Sequence, residues 1–86
     1  MSKGKEYTVV ILNDDDTTYS HVVLVLHKIF TLSLEQAVKI TLEADILGHA
    51  DVGQFTAEEA NRLVGTAMLA NARMDMNLQF KIEENE

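Results

Sequence analysis

The patterned part of the chain begins with a nearly unbroken apolar run, Tyr7-Thr8-Val9-Val10-Ile11-Leu12. A β-branched run of that length predicts a strand over 6–12, central in a sheet because neither face alternates to polar. The period then changes. Val22, Val25, Leu26, Ile29 and Phe30 recur at the i, i+3, i+4, i+7, i+8 spacing of a buried helical stripe, so a helix is expected over 18–30. Its valines lower intrinsic propensity, and packing must hold it. Ser33-Leu34-Glu35-Gln36 reads as a capping box opening a second helix to about residue 47, with Leu34, Ala37, Val38 and Thr41 on one face, continued by Leu42 and Ala44. Gly48 is placed to close that helix in a left-handed conformation.

A brief edge strand is expected over 52–55. Thr56-Ala57-Glu58-Glu59 is a second capping box, and the helix it starts carries Ala60, Leu63, Val64, Ala67 and Met68 as its inner stripe. The pattern breaks across 71–76. Leu78, Phe80 and Ile82 then alternate with Gln79, Lys81 and Glu83, the mark of a half-buried strand. The order is β-α-α-β-α-β. That predicts an α/β (α+β) open sandwich, with all three apolar stripes buried against one face of a small sheet. Residues 1–5 read as a short flexible N-terminus and 6–86 as one domain.

Composition narrows the functional classes. Apolar residues make up 47% of the chain, and there is no cysteine, which removes disulfides and thiolate metal sites and fits a reducing compartment. The first six residues lack the apolar core of a signal peptide, and no run approaches the ~20 apolar residues of a membrane span. A cytoplasmic protein without membrane association is therefore expected. Fourteen acidic residues stand against seven basic ones, a net charge of −7, and the basic residues are scattered. Nucleic acid needs a basic face, so it is not an expected partner, whereas cationic ligands or basic partners are.

Candidate chemistry concentrates at the junction of the first strand and first helix. Asn13-Asp14-Asp15-Asp16-Thr17-Thr18 places an amide, three carboxylates and two hydroxyls there. Such residues are also ordinary turn and N-cap formers: Thr17 or Thr18 can cap the helix, and Asp15 and Asp16 suit its positive end. A calcium loop is not implied, because the spaced ligands, central glycine and terminal glutamate are missing. His21 and His27 lie about 240° apart around a helix and His49 stands alone, so zinc is not expected and solvated or capping histidines are. With no phosphate-cradling glycine loop and no nucleophilic set, the chain reads as non-enzymatic and cofactor-free. What remains is a carboxylate and an amide carbonyl at a strand end, which can accept charge-assisted bonds from an ammonium.

The run from the strand through Leu12-Asn13-Asp14-Asp15-Asp16-Thr17 resembles the Asn-Asp-Asp-x-Thr-Pro motif of the ClpS family, the N-degron adaptors of Clp AAA+ proteases. The likeness extends through 22–30, Leu42-Glu43-Ala44 with Gly48, 52–58 and the last strand, covering about residues 6–83. The resemblance implies a three-stranded antiparallel sheet packed on three helices. It also implies an adaptor that captures proteins by a destabilising first residue and hands them to a Clp-type unfoldase. In the family the motif's Asn and Asp hold the α-amine, here Asn13 and Asp14, and its Thr helps bind the ligand backbone, here Thr17. By position the pocket for the first side chain is walled by Ile11, Tyr19, Val22, Thr41, Leu42, Ala44 and Leu78. Glu58 matches a family position that contacts the unfoldase.

The chain also departs from the family's pattern. Thr18 stands where the family has Pro, Tyr19 and Thr41 where it has pocket methionines, and Leu63 where it has a Lys facing the unfoldase. About five residues precede the first strand, where the family carries a couple of dozen. The family's amine-contacting His falls at Asp45, which is expected to keep that contact, add negative charge and admit basic first residues as well. The alternative function is an acidic interaction domain that docks a basic partner through its surface, as the similar C-terminal domain of the ribosomal stalk protein uses its helices.

Overall fold

The computed structural model describes residues 6–14 and 16–85. The expectations for residues 1–5 and for Asp15 lie outside them. Strand β1, Tyr7–Leu12, is the centre of a three-stranded antiparallel sheet of order β2-β1-β3, with β2 spanning His49–Phe55 and β3 spanning Gln79–Glu84. The apolar run explains this position. Val9 and Ile11 face the helices at 0% and 1% exposure. Val10 is also buried, on the other face, beside Asp51 and Lys81 of the two flanking strands.

Strand β2 begins three residues earlier than the pattern suggested, because His49, Ala50 and Asp51 pair with Leu12, Ile11 and Val10. Its register jumps between Val9 and Val10, leaving Val52 as an extra residue opposite β1. Phe30 sits near Phe55 of β2 and Phe80 of β3, with ring centroids 5.9 and 5.8 Å away. This cluster ties both flanking strands to the helical layer, Phe55 opposite Tyr7 at one end of β1 and Phe80 opposite Ile11 near the other.

Helix α1, Tyr19–Leu24, is capped by Thr18, whose Oγ1 accepts the His21 N–H at 3.2 Å. The chain continues as a π-helical turn, Val25–Ile29, where the expectation was one uniform helix; the Phe30 N–H reaches back to the Val25 carbonyl at 3.2 Å. The widened turn places Val25, Leu26 and Phe30 in the core together, at 1%, 0% and 3% exposure. Asp16 is not in the first helical turn; it lies in the bend before the cap.

Helix α2, Leu34–Leu47, starts where Ser33 Oγ accepts the Gln36 N–H, and ends at Gly48 with φ of 90°, whose N–H caps the Ala44 carbonyl. Its inner face is Ala37, Ile40, Thr41 and Ala44. Leu34 and Leu42, expected inside, are about half exposed, because residues 34 and 42 flank the buried stripe rather than centre it. Helix α3, Ala57–Met74, carries the complete Thr56–Glu59 capping box. It runs past the expected break because Asn71 points inward with Ala60 and Ala67, and it stops at Asp75 in a left-handed conformation. Met68, assigned to the inner stripe, is 42% exposed.

Leu26 is fully enclosed between the sheet and the helices. Leu26→Ala is expected to cost about 3 kcal/mol through lost transfer energy and a residual cavity, lowering the melting temperature by about 15 °C in a domain of this size. A thermal melt followed by circular dichroism checks this.

Candidate functional site

The junction after β1 is built by Asp14. Its Oδ1 accepts the N–H of Asp16 at 2.9 Å and the N–H of Thr17 at 2.7 Å, and its Oδ2 accepts the Thr17 hydroxyl at 2.9 Å. The carboxylate thus holds the whole bend, an Asx turn extended by one hydroxyl. Thr17 is consumed in this bend, which leaves Thr18 to cap α1. One residue earlier, the Asn13 N–H donates to the Gly48 carbonyl at 2.9 Å. That bond is available because Gly48 turns back at the end of α2. It brings the last turn of α2, with Ala44 and Asp45, alongside the end of β1.

Between these parts lies a cavity of about 320 Å³, at the small end of the range for ligand sites. Its lining unites residues from four separate stretches. Ile11, Leu12, Asn13, Asp14 and Thr17 come from the strand end and bend, Tyr19 and Val22 from α1, Thr41, Ala44 and Asp45 from α2, and Leu78 from the lead into β3. Ile11, Val22, Ala44 and Leu78 are each at most 8% exposed and form an apolar interior. Asn13 and Asp45 are exposed, Asp14 and Thr17 half-buried, and Tyr19 is 51% exposed at the mouth. Neither the Asn13 amide nor the Asp45 carboxylate has a hydrogen-bond or ion-pair partner among the described residues. Thr41 is buried, and its hydroxyl proton goes to the Ala37 carbonyl at 2.7 Å.

Electrostatics give this mouth one sign. Asp14 and Asp45 bring formal negative charge, and Asp45 lies in the last turn of α2, where unpaired carbonyls already carry partial negative charge. No basic residue occupies that turn. A cation seated here relieves the repulsion; an anion adds to it.

All but two of the residues to which the family resemblance gives a binding, pocket or unfoldase role line this cavity. Leu42 does not: it is 47% exposed, since one step along a helix from Thr41 rotates it about 100° away. Glu58 is exposed in the first turn of α3, beyond Phe55, while β2 starts at His49 beside the cavity end of β1. It is therefore at the opposite end of the sheet. Leu12 was missed, because strand alternation assigns it to the sheet's other face. It lines a hollow of about 230 Å³ there as well, with Val10, Lys81 and Glu83. His21 was expected to be solvated or capping and is instead buried, with Nε2 2.9 Å from Asn71 Oδ1. His27, half-buried, bonds through Nδ1 to the Leu32 carbonyl at 2.8 Å, in the loop before α2 rather than at a helix end. Among the described residues no cluster of metal-ligating side chains is present, and no helix is long and apolar enough to cross a membrane.

Fold and cavity together define a small α+β binding domain whose cleft pairs hydrogen-bond acceptors with an apolar interior. The comparisons with known proteins agree on what kind. The family model for the ATP-dependent Clp protease adaptor protein ClpS matches residues 2–81. The ClpS adaptor of Campylobacter jejuni is 38% identical over 88 residues, covering 98% of this chain and 88% of that protein. That of a Ruegeria species is 38% identical over 80 residues, covering 93% and 71%. The structure of Agrobacterium tumefaciens ClpS2 bound to L-phenylalaninamide superposes with a TM-score of 0.87 at 27% identity, covering 94% of this chain and 98% of that one. The chain belongs to the ClpS family. It is an N-degron adaptor of the Clp protease.

Proposed function

We propose that residues 6–86 work as one binding domain and that the 320 Å³ cavity is its N-degron site. The observation that carries this reading is the ring of acceptors, Asn13, Asp14 and Asp45, around the mouth of an apolar interior. An α-ammonium offers three donors and one positive charge. Asn13 Oδ1 and the Asp45 carboxylate are free to receive two of those donors. Asp14 receives the third on its remaining Oδ2 lone pair, three of its roughly four acceptor positions being spent on the bend. The Thr17 oxygen, having given its proton to Asp14, faces the ligand backbone as an acceptor. The first side chain enters between α1 and α2, against Ile11, Val22, Thr41, Ala44 and Leu78, with Tyr19 over the entrance.

Support comes from the ligand of the Agrobacterium protein: phenylalaninamide stands for the first residue of a peptide, a free α-amine beside an aromatic side chain. The domain acts in the cytoplasm by binding alone, without catalysis. Glu58, at the far end of the sheet, contacts the unfoldase, so a bound substrate leaves that surface open.

The test is a panel of labelled peptides differing only in the first residue, Leu, Phe, Tyr, Arg and Lys, against Glu and Gly, with affinities read by fluorescence anisotropy. Leu and the aromatics are expected to bind at least about tenfold more tightly than Glu and Gly, through burial of apolar area and the acidic mouth. Affinity independent of the first residue would remove the pocket from the account.

A further inference from the structure

The most thoroughly buried polar pair lies outside the cavity, yet it is attached to two of the cavity's walls. Asn71 and His21 are each 4% exposed. Asn71 Nδ2 donates to the Leu78 carbonyl at 2.7 Å and contacts Met68 Sδ at 3.6 Å, so its Oδ1 accepts from His21 Nε2 at 2.9 Å. The reverse amide orientation would set two carbonyl oxygens against each other at Leu78. His21 therefore carries its proton on Nε2, and its Nδ1 is buried with no hydrogen-bond partner among the described residues. The main chain of Asn71 is equally engaged. Its carbonyl accepts the N–H of Asp75 and, at 2.8 Å, that of Met76, so the connection to Leu78 is wound around this one residue.

A buried amide and imidazole cost desolvation that an apolar pair of the same volume avoids. What the polar pair supplies is a fixed geometry, because each bond is satisfied in a single arrangement. That geometry bears on the cavity. His21 precedes Val22 on α1, and Leu78 is the residue held by Asn71; Val22 and Leu78 both line the interior. One amide on α3 thus ties the α1 wall to the β3 wall.

We propose that Asn71, acting through His21 and Leu78, is a positioning residue that fixes the spacing of the Val22 and Leu78 walls. In this way it sets which first side chains the cavity accepts. The inference rests on the cavity being the first-residue site. Asn71→Leu keeps the branched shape and breaks both bonds; His21→Phe keeps a planar ring and breaks one. Both variants and the native chain are measured with free peptides starting with Leu, Phe or Trp, and with an acetylated Phe peptide. Asn71→Leu is expected to change the Trp-to-Leu affinity ratio by about tenfold, the scale on which a small change in a pocket wall discriminates. The penalty for acetylation is expected to stay unchanged. The double variant is expected to shift the ratio no further than Asn71→Leu alone, since the bond to His21 is shared.

An equal loss for every peptide, or an unchanged ratio in a variant that melts cooperatively, overturns the proposal. If Asn71→Leu does not fold, His21→Phe decides by the same ratio, with a smaller expected shift. A native chain indifferent to the first residue or to acetylation indicts the N-degron assignment of the cavity instead, so the two failures are distinguishable.

Discussion

Asp45→Asn is expected to weaken binding of a free-amine peptide about 10–100-fold, the worth of one charge-assisted hydrogen bond at about 1.5–3 kcal/mol. The substitution changes one atom and preserves shape, so the loss reports charge. It should also leave the domain slightly more stable. Asp45 sits in the last turn of α2, which has no basic residue to offset the helix dipole, and it shares the cavity mouth with Asp14. Weaker binding with an equal or higher melting temperature cannot come from unfolding. Rising salt should narrow the gap between native and variant, because the exposed carboxylate is screened. Unchanged affinity would mean that Asp45 is a bystander at the mouth and that Asn13 and Asp14 suffice.

Asp14→Ala is expected to have the larger effect, a loss of more than about 100-fold, since it removes a charged acceptor and the scaffold of the bend together. Three bonds to Asp16 and Thr17 disappear, and with them the placement of Asn13 and Thr17. Here stability falls with affinity, by about 1–3 kcal/mol or 5–15 °C in melting temperature. Asp14→Asn separates the two roles. Its Oδ1 can keep both backbone bonds, but its amide nitrogen cannot accept from the Thr17 hydroxyl. It should therefore stay near native in stability and fall between native and Ala in affinity. If Asp14→Ala melted early yet bound as tightly as the native chain, the bend would be irrelevant to the ligand.

Much of the scaffold could be read from local pattern, and the failures have physical causes. The unbroken Val9-Val10-Ile11 run located the central strand because only a strand flanked on both sides buries every residue. Thr56–Glu59 and Gly48 marked helix ends because their roles depend on neighbours within one turn. The end of α3 was missed because Asn71 looks like a breaker, while its burial depends on His21, fifty residues away in sequence. The π-helical turn at Val25–Ile29 has no local signal. Leu34, Leu42 and Met68 fit the apolar stripes at helical spacing, yet they lie at the stripe edges, and folded surfaces expose much apolar area there. The site followed the same division. The Asn13–Thr17 cluster and the position of Asp45 were visible in the sequence through resemblance. The bond from Asn13 to Gly48 that brings them together is a tertiary fact.

The assignment of the mouth is tested most directly by one pair of titrations: the same Phe-first peptide with a free and with an acetylated N-terminus. Acetylation removes the positive charge and two of the three donors and leaves the side chain untouched. The expected result is a loss of at least about 100-fold, as two charge-assisted bonds disappear. Equal affinity for the two peptides would contradict the account and point to an acidic surface that docks basic partners without regard to where their chain begins.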